Sequence, residues 1–171
     1  MSKFELGLSK DYVPGWGVPE AIRELFQNAL DAQAADPANV MDFEYVPEEE
    51  KLIITNRTSS LSTKSLLLGA SSKRDDESMI GQFGEGYKIA VLVLVREGLD
   101  VVFYNYDKKE VWRPRLINSH RYGTEILAFF VDKEFQWAEA PANNLTIEIT
   151  GLTEEMFMQV RETNLHVNQR Y

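Results

Sequence analysis

Every position from Ile89 to Val95 is apolar, and the flanking stretch from Glu85 to Arg96 adds little that prefers water. A helix with this pattern has no solvated face, so sheet and neighbouring helix must cover it on all sides. The run is also far short of the ~20 residues that span a bilayer, so protein is expected to bury it. An earlier helix is expected from about Pro19 to Ala34: Pro19 suits a first turn, and Ile22, Leu25, Phe26, Ala29 and Leu30 recur at helical spacing. Between these helices, Val40 to Val46 and Lys51 to Asn56 read as strands of an antiparallel hairpin joined by the acidic turn Pro47 to Glu50. Ser62 to Leu68 suits a short helix. Leu99 to Tyr106, Val111 to Ile117, Thr124 to Val131 and Leu145 to Thr150 read as further strands, followed by a last helix from about Thr153 to Leu165. Consecutive strands without regular strand-helix-strand alternation point to an α/β two-layer sandwich, its sheet mostly antiparallel and covered by helices.

With 171 residues, 44% of them hydrophobic, and no repeat or linker-like tract, a single domain over residues 1–171 is expected. A net charge of −9 disfavours direct nucleic-acid binding, which needs clustered Lys and Arg against phosphates, and leaves room for a basic protein partner. The sequence has no cysteine, which excludes disulfides and thiolate metal sites. No apolar segment follows Met1 in the manner of a secretion signal, so a soluble, cytoplasmic protein away from membranes is expected. His120 and His166 are isolated from any carboxylate motif and read as structural or solvated.

Two segments carry chemistry. On the first helix Glu24, Asn28 and Asp31 fall within one narrow sector, opposite the apolar stripe. Taken alone, that pattern is the one an ordinary amphipathic helix with a polar outer face shows. A carboxylate one turn from a carboxamide nevertheless has a use: the amide oxygen can ligate Mg²⁺ while the carboxylate orients and deprotonates a water. The second segment, Gly81-Gln82-Phe83-Gly84-Glu85-Gly86-Tyr87-Lys88, sets three glycines ahead of the buried helix. Backbone amides can approach a phosphate closely there, and the helix N-terminus favours its charge. The spacing matches neither the dinucleotide fingerprint nor the Walker loop. Lys88 is either a point charge for phosphate or a solvated surface lysine.

Taken in order, Glu24-Leu25-Phe26-Gln27-Asn28-Ala29-Leu30-Asp31-Ala32, then a strand and a polar segment, then Gly81 to Lys88, the chain resembles the GHKL superfamily of Bergerat-fold ATPases over nearly its whole length. Its glycine segment is most similar to those of the large heat-shock chaperones and gyrase-type enzymes. The resemblance implies a Bergerat fold with a mixed, mostly antiparallel sheet, and ATP with Mg²⁺ as cofactors. It implies Asn28 as metal ligand, Glu24 as general base, and Gly81, Gly84 and Gly86 as triphosphate contacts, with Asp31, Gln82, Phe83 and Lys88 in the same binding segments. It also implies an ATP lid over about residues 69–82, whose Ser71-Ser72-Lys73-Arg74 cluster either meets phosphates on closure or stays solvated. Gly123-Thr124 resembles the last nucleotide motif, which places Thr124 near the adenine.

One motif departs from the family. An aspartate followed by Gly-x-Gly normally accepts the adenine amino group; here Asn56 holds that register and Arg57-Thr58-Ser59-Ser60-Leu61 follow without glycine. A carboxamide both donates and accepts, so weaker adenine preference over guanine is expected. The gyrase-like and chaperone-like enzymes also bring a cation to the terminal phosphate from a following domain; here the expectation is slow turnover by this domain alone, a cation from a partner, or one from a longer natural chain. Slow ATP hydrolysis in a nucleotide-controlled conformational switch is the function expected. The alternative is a nucleotide-gated protein-interaction module without significant turnover. ATP-dependent homodimerisation, common in the family, is a further expectation.

Overall fold

A computed structural model describes residues 1–67, 86–134, 136–137 and 141–169. The expected lid over 69–82, together with Gly81, Gln82, Phe83 and Gly84, lies outside the described residues. Among the described residues seven strands form one sheet: β1 (Ser2–Ser9), β2 (Met41–Val46), β3 (Lys51–Asn56), β4 (Asp100–Asn105), β5 (Glu110–Ser119), β6 (Thr124–Asp132) and β7 (Leu145–Thr150). Three α-helices accompany them, α1 (Val18–Ala35), α2 (Gly86–Arg96) and α3 (Glu154–Gln169). Among the described residues no helix is long and apolar enough to cross a membrane.

The strand order is β1-β6-β5-β4-β7-β3-β2, and every neighbouring pair is antiparallel. The expectation of a mixed sheet is thereby corrected. The reason is topological: the excursion from β3 through α2 returns β4 in the same direction as β3, but β7 lies between them and runs against both. Strands β3, β4 and β7 bury alternate residues, Leu52 and Ile54, Val101 and Phe103, Ile147 and Ile149, while the residues between them stay partly exposed. That alternation marks a sheet with one face on the core. Into this face α2 sinks Ala90 to Leu94, none of them accessible to solvent, against an aromatic layer in which Tyr87, Phe103, Trp112 and Phe129 lie 5.8 to 6.4 Å apart by ring centroid. Burial of each large apolar side chain contributes roughly 1.5–3 kcal/mol.

Strand β1 is an addition to the sequence reading, which treated the residues before Val13 as a lead-in. It pairs with β6 along the sheet edge, with an irregularity between Glu5 and Ser9. From β1 the chain reaches α1 through a loop in which Val13 adopts φ 47°, a left-handed backbone that a β-branched residue rarely takes, at a cost on the order of 1–3 kcal/mol. Arg96, in the last turn of α2, holds the loop there. Its Nη1 donates to the carbonyls of Lys10 and Tyr12 and its Nη2 to those of Val13 and Trp16, at 2.5 to 3.0 Å. Only a planar fork can reach four carbonyls in this way. Arg96→Lys is therefore expected to lower stability by about 1–3 kcal/mol, read as a drop in the denaturant midpoint; an unchanged midpoint would show that the loop holds itself.

Candidate functional site

One end of the sheet meets the helix that carries the first motif. Asn56 at the end of β3 faces Leu145 at the start of β7, which in turn faces Asn105 at the end of β4. The three form a row across the sheet, and α1 passes over it: Asn56 Nδ2 donates to the carbonyl of Ala29 at 3.1 Å. Asn56 is 1% exposed, so this bond replaces water for a buried amide and pins the helix to the sheet. Its amide nitrogen engaged on α1, Asn56 keeps Oδ1 as the acceptor of its carboxamide.

The segments Glu24 to Ala32 and Gly86 to Lys88 meet directly. A Cβ built on Gly86 would stand 1.9 Å from Glu24 Oε1 and 2.7 Å from its Cδ, so the carboxylate rests against the bare Cα at the first turn of α2. Only glycine permits that approach, and the N-terminal end of a helix favours the negative charge. Asn28, one turn further along α1, is buried at 6% exposure. This corrects the picture of a polar outer face open to solvent, because α2 packs against α1 here. Asp31 does emerge to solvent, where its Oδ1 accepts from Gln27 Nε2 at 2.8 Å.

Lys88 is not a solvated lysine. It is 7% exposed, and its Nζ donates to the carbonyl of Ser65. The Ser65 hydroxyl lies 3.0 Å from the Tyr87 hydroxyl and donates to the carbonyl of Ser62 at 2.7 Å. The short 3-10 turn Thr63–Leu66 is thereby tied to the start of α2, which brings together the two described flanks of residues 68–85. Of Gly81, Gly84 and Gly86, Gly86 alone lies within the described residues. Thr124 stands elsewhere. It pairs with Ser119 at the far end of β5, a strand of ten residues and so roughly 30 Å long, whereas Glu110 at the near end faces Asn105. Gly123, at φ 67°, turns the chain between these strands, and Thr124 does not share a wall with Asn56.

Asparagines outside the two motifs hold the segment after Asn56 in shape. Asn39, 1% exposed, accepts from the backbone N–H groups of Thr58 and Ser59 at 2.9 and 3.0 Å and donates to the Ser59 hydroxyl at 2.6 Å. Asn105 accepts from the Leu61 N–H at 3.3 Å and donates to its carbonyl at 2.6 Å. Asn144 donates to the carbonyl of Ser59, and its backbone N–H donates to that of Arg57 at 2.9 Å. Ser60 adds a bond from its hydroxyl to Asp107 Oδ1 at 2.9 Å. The segment Arg57 to Leu61, which has no glycine, is thus fixed by side chains rather than by permissive backbone. One signal was visible in advance: Asn56 and Asn105 continue the buried alternation of Leu52 and Ile54, and of Val101 and Phe103, where an apolar residue would ordinarily stand.

Among the described residues there is no cluster of three or more His, Asp or Glu side chains able to hold a metal ion. A Mg²⁺ site of the kind expected does not need one, because this cation commonly keeps water and substrate phosphates as ligands beside one protein oxygen. No known protein family matches this sequence, and no curated protein matches it.

Proposed function

We propose that this chain is a Mg²⁺-dependent ATP-binding domain with slow ATP hydrolysis, whose nucleotide state sets the conformation offered to a protein partner. The observation that carries the reading is the contact of Glu24 with Gly86: a carboxylate and a glycine-opened helix N-terminus, far apart in sequence, share one spot. Phosphate oxygens suit the amides at that N-terminus. Asn28, one turn from Glu24, is the residue to hold Mg²⁺ through its amide oxygen, and the chemistry that the ion supplies when bound is neutralisation of charge on phosphate oxygens. Glu24 takes the proton of the attacking water. At the other end, Asn56 Oδ1 accepts the amino group of adenine, the Ala29 carbonyl having engaged its nitrogen.

Calorimetric titration with ATP, ADP and GTP, with and without Mg²⁺, on the parent and on Asn28→Ala tests this reading. ATP is expected to bind more tightly with Mg²⁺ than without it, and Asn28→Ala to lose that difference. Unchanged Mg²⁺ dependence in the variant would remove Asn28 from the site, and no binding of any nucleotide would end the proposal. The remaining N–H of the Asn56 amide leaves guanine tolerated, so the preference for ATP over GTP is expected to be modest; a preference of several hundredfold contradicts that part.

A further inference from the structure

The sheet edge formed by β2 carries a second surface, independent of the nucleotide site. Phe43 and Tyr45 of β2 lean towards α3, where Tyr45 stacks on Phe157 with ring centroids 4.4 Å apart and planes 9° from parallel. Phe43 meets Phe26 of α1 edge-on at 5.1 Å, yet it remains 37% exposed, and Met158 on α3 is 46% exposed. Between strand and helix runs a groove of about 350 Å³ with Phe43, Tyr45, Pro47, Phe157 and Met158 in its walls. Exposed apolar surface set within a charged rim is the usual mark of a binding site.

Two features say what enters it. First, β2 is guarded against strand addition. The Met41 N–H donates to Gln33 Oε1 at 2.7 Å and the Phe43 N–H to Asp42 Oδ1 at 2.8 Å, so a second strand would meet donors already engaged. An occupant must bind through side chains. Second, the groove is electrically polar. Glu154, Phe157, Met158 and Arg161 fall on one face of α3, which sets Glu154 and Arg161 two turns, roughly 10 Å, apart. At the Glu154 end, burial and then the carboxylates of Glu50 and Glu154 hold the Tyr45 phenol above its ordinary pKa. The turn beyond Pro47 adds Glu48 and Glu49, while Lys51 is engaged by Glu49 at 3.8 Å and Glu148 at 3.4 Å. Among the described residues Arg161 is the one cation in the groove wall.

We propose that the groove between β2 and α3 docks a basic amphipathic segment of a partner protein, with an apolar side chain between Phe43 and Met158 and a Lys or Arg against Glu154. Charge selects the partner and the apolar contact holds it. The occupant is a protein segment rather than a second copy of this chain, since a surface with net charge −9 repels itself.

The test is calorimetry on the whole chain at physiological ionic strength with two short probes, a Leu/Lys amphipathic peptide and the same peptide with Glu for every Lys. The Leu/Lys peptide is expected to bind saturably at one site. Affinity is expected to fall about tenfold in Met158→Asp and again in Glu154→Lys, both exposed positions whose change leaves the unfolding midpoint close to that of the parent. Equal affinity for parent and variants would show diffuse charge attraction and overturn the site. So would equal binding of the Leu/Glu peptide, which would make the groove merely apolar. A concentration-dependent dimer that Met158→Asp dissociates would assign the groove to a second copy instead. If Glu154→Lys unfolds the chain, Met158→Asp alone decides.

Discussion

Glu24→Ala is expected to slow phosphate release from ATP by about 10²–10⁴-fold while leaving Mg-ATP binding within a few-fold of the parent. Position is the reason: the Glu24 carboxylate lies against the bare Cα of Gly86 at the start of α2, beside the amides that suit a terminal phosphate. A binding module without turnover would show no difference between parent and variant, since neither would release phosphate above background. The same contact makes Gly86→Ala informative. Its methyl group would fall 1.9 Å from Glu24 Oε1, so the carboxylate must swing aside. Because the clash is with the end of a flexible side chain, stability is expected to hold, and alanine is the better helix former. Turnover is expected to drop about tenfold or more, and the double variant with Glu24→Ala to be no slower than Glu24→Ala alone. Additive losses in the double variant would show that Gly86 matters for a reason other than Glu24.

Asn39→Ala is expected to lower stability by about 2–4 kcal/mol, the largest loss expected from a polar side chain outside the motifs. It removes the acceptor shared by the Thr58 and Ser59 N–H groups and the donor to the Ser59 hydroxyl, in a place with almost no access to water. The segment it releases begins immediately after Asn56, so ATP affinity is expected to fall with stability. A denaturant titration paired with ATP calorimetry checks both. Full stability would mean that Asn105 and Asn144 hold the segment alone; lost stability with unchanged affinity would separate it from the base end.

Much of the fold was legible because burial leaves a periodic trace. The apolar run from Ile89 to Val95 could only be a covered helix, and α2 is one. The alternation in β3 and β7 located those strands to the residue. β1 was overlooked because the glycine and proline cluster from Val13 to Gly17 drew the reading towards a turn, although Phe4, Leu6 and Leu8 alternate ahead of it. Strand order left no such trace. Whether two strands running the same way are neighbours depends on what is inserted between them, which no local pattern encodes. The candidate site divides in the same way. Glu24, Asn28 and Gly86 were visible as residue types at set spacings, but the closeness of Glu24 to Gly86 is a fact of packing between α1 and α2. Lys88 read as either a phosphate contact or a solvated lysine; its partner is a backbone carbonyl, that of Ser65, which no sequence displays. Gly123 and Thr124 matched a short pattern in the wrong place, the hairpin between β5 and β6.

The position of β7 has a consequence for how the chain comes together. It is the last strand in sequence, yet it fills the gap between β3 and β4. Until residue 150 has left the ribosome, the hairpin of β2 and β3 and the meander of β4 to β6 have no shared edge to zip along, and each presents an unpaired strand to its surroundings. Closure of the sheet is a late, long-range event with a correspondingly slow search. Once β7 inserts, it satisfies both edges at once, so the two halves gain their stability together rather than in sequence.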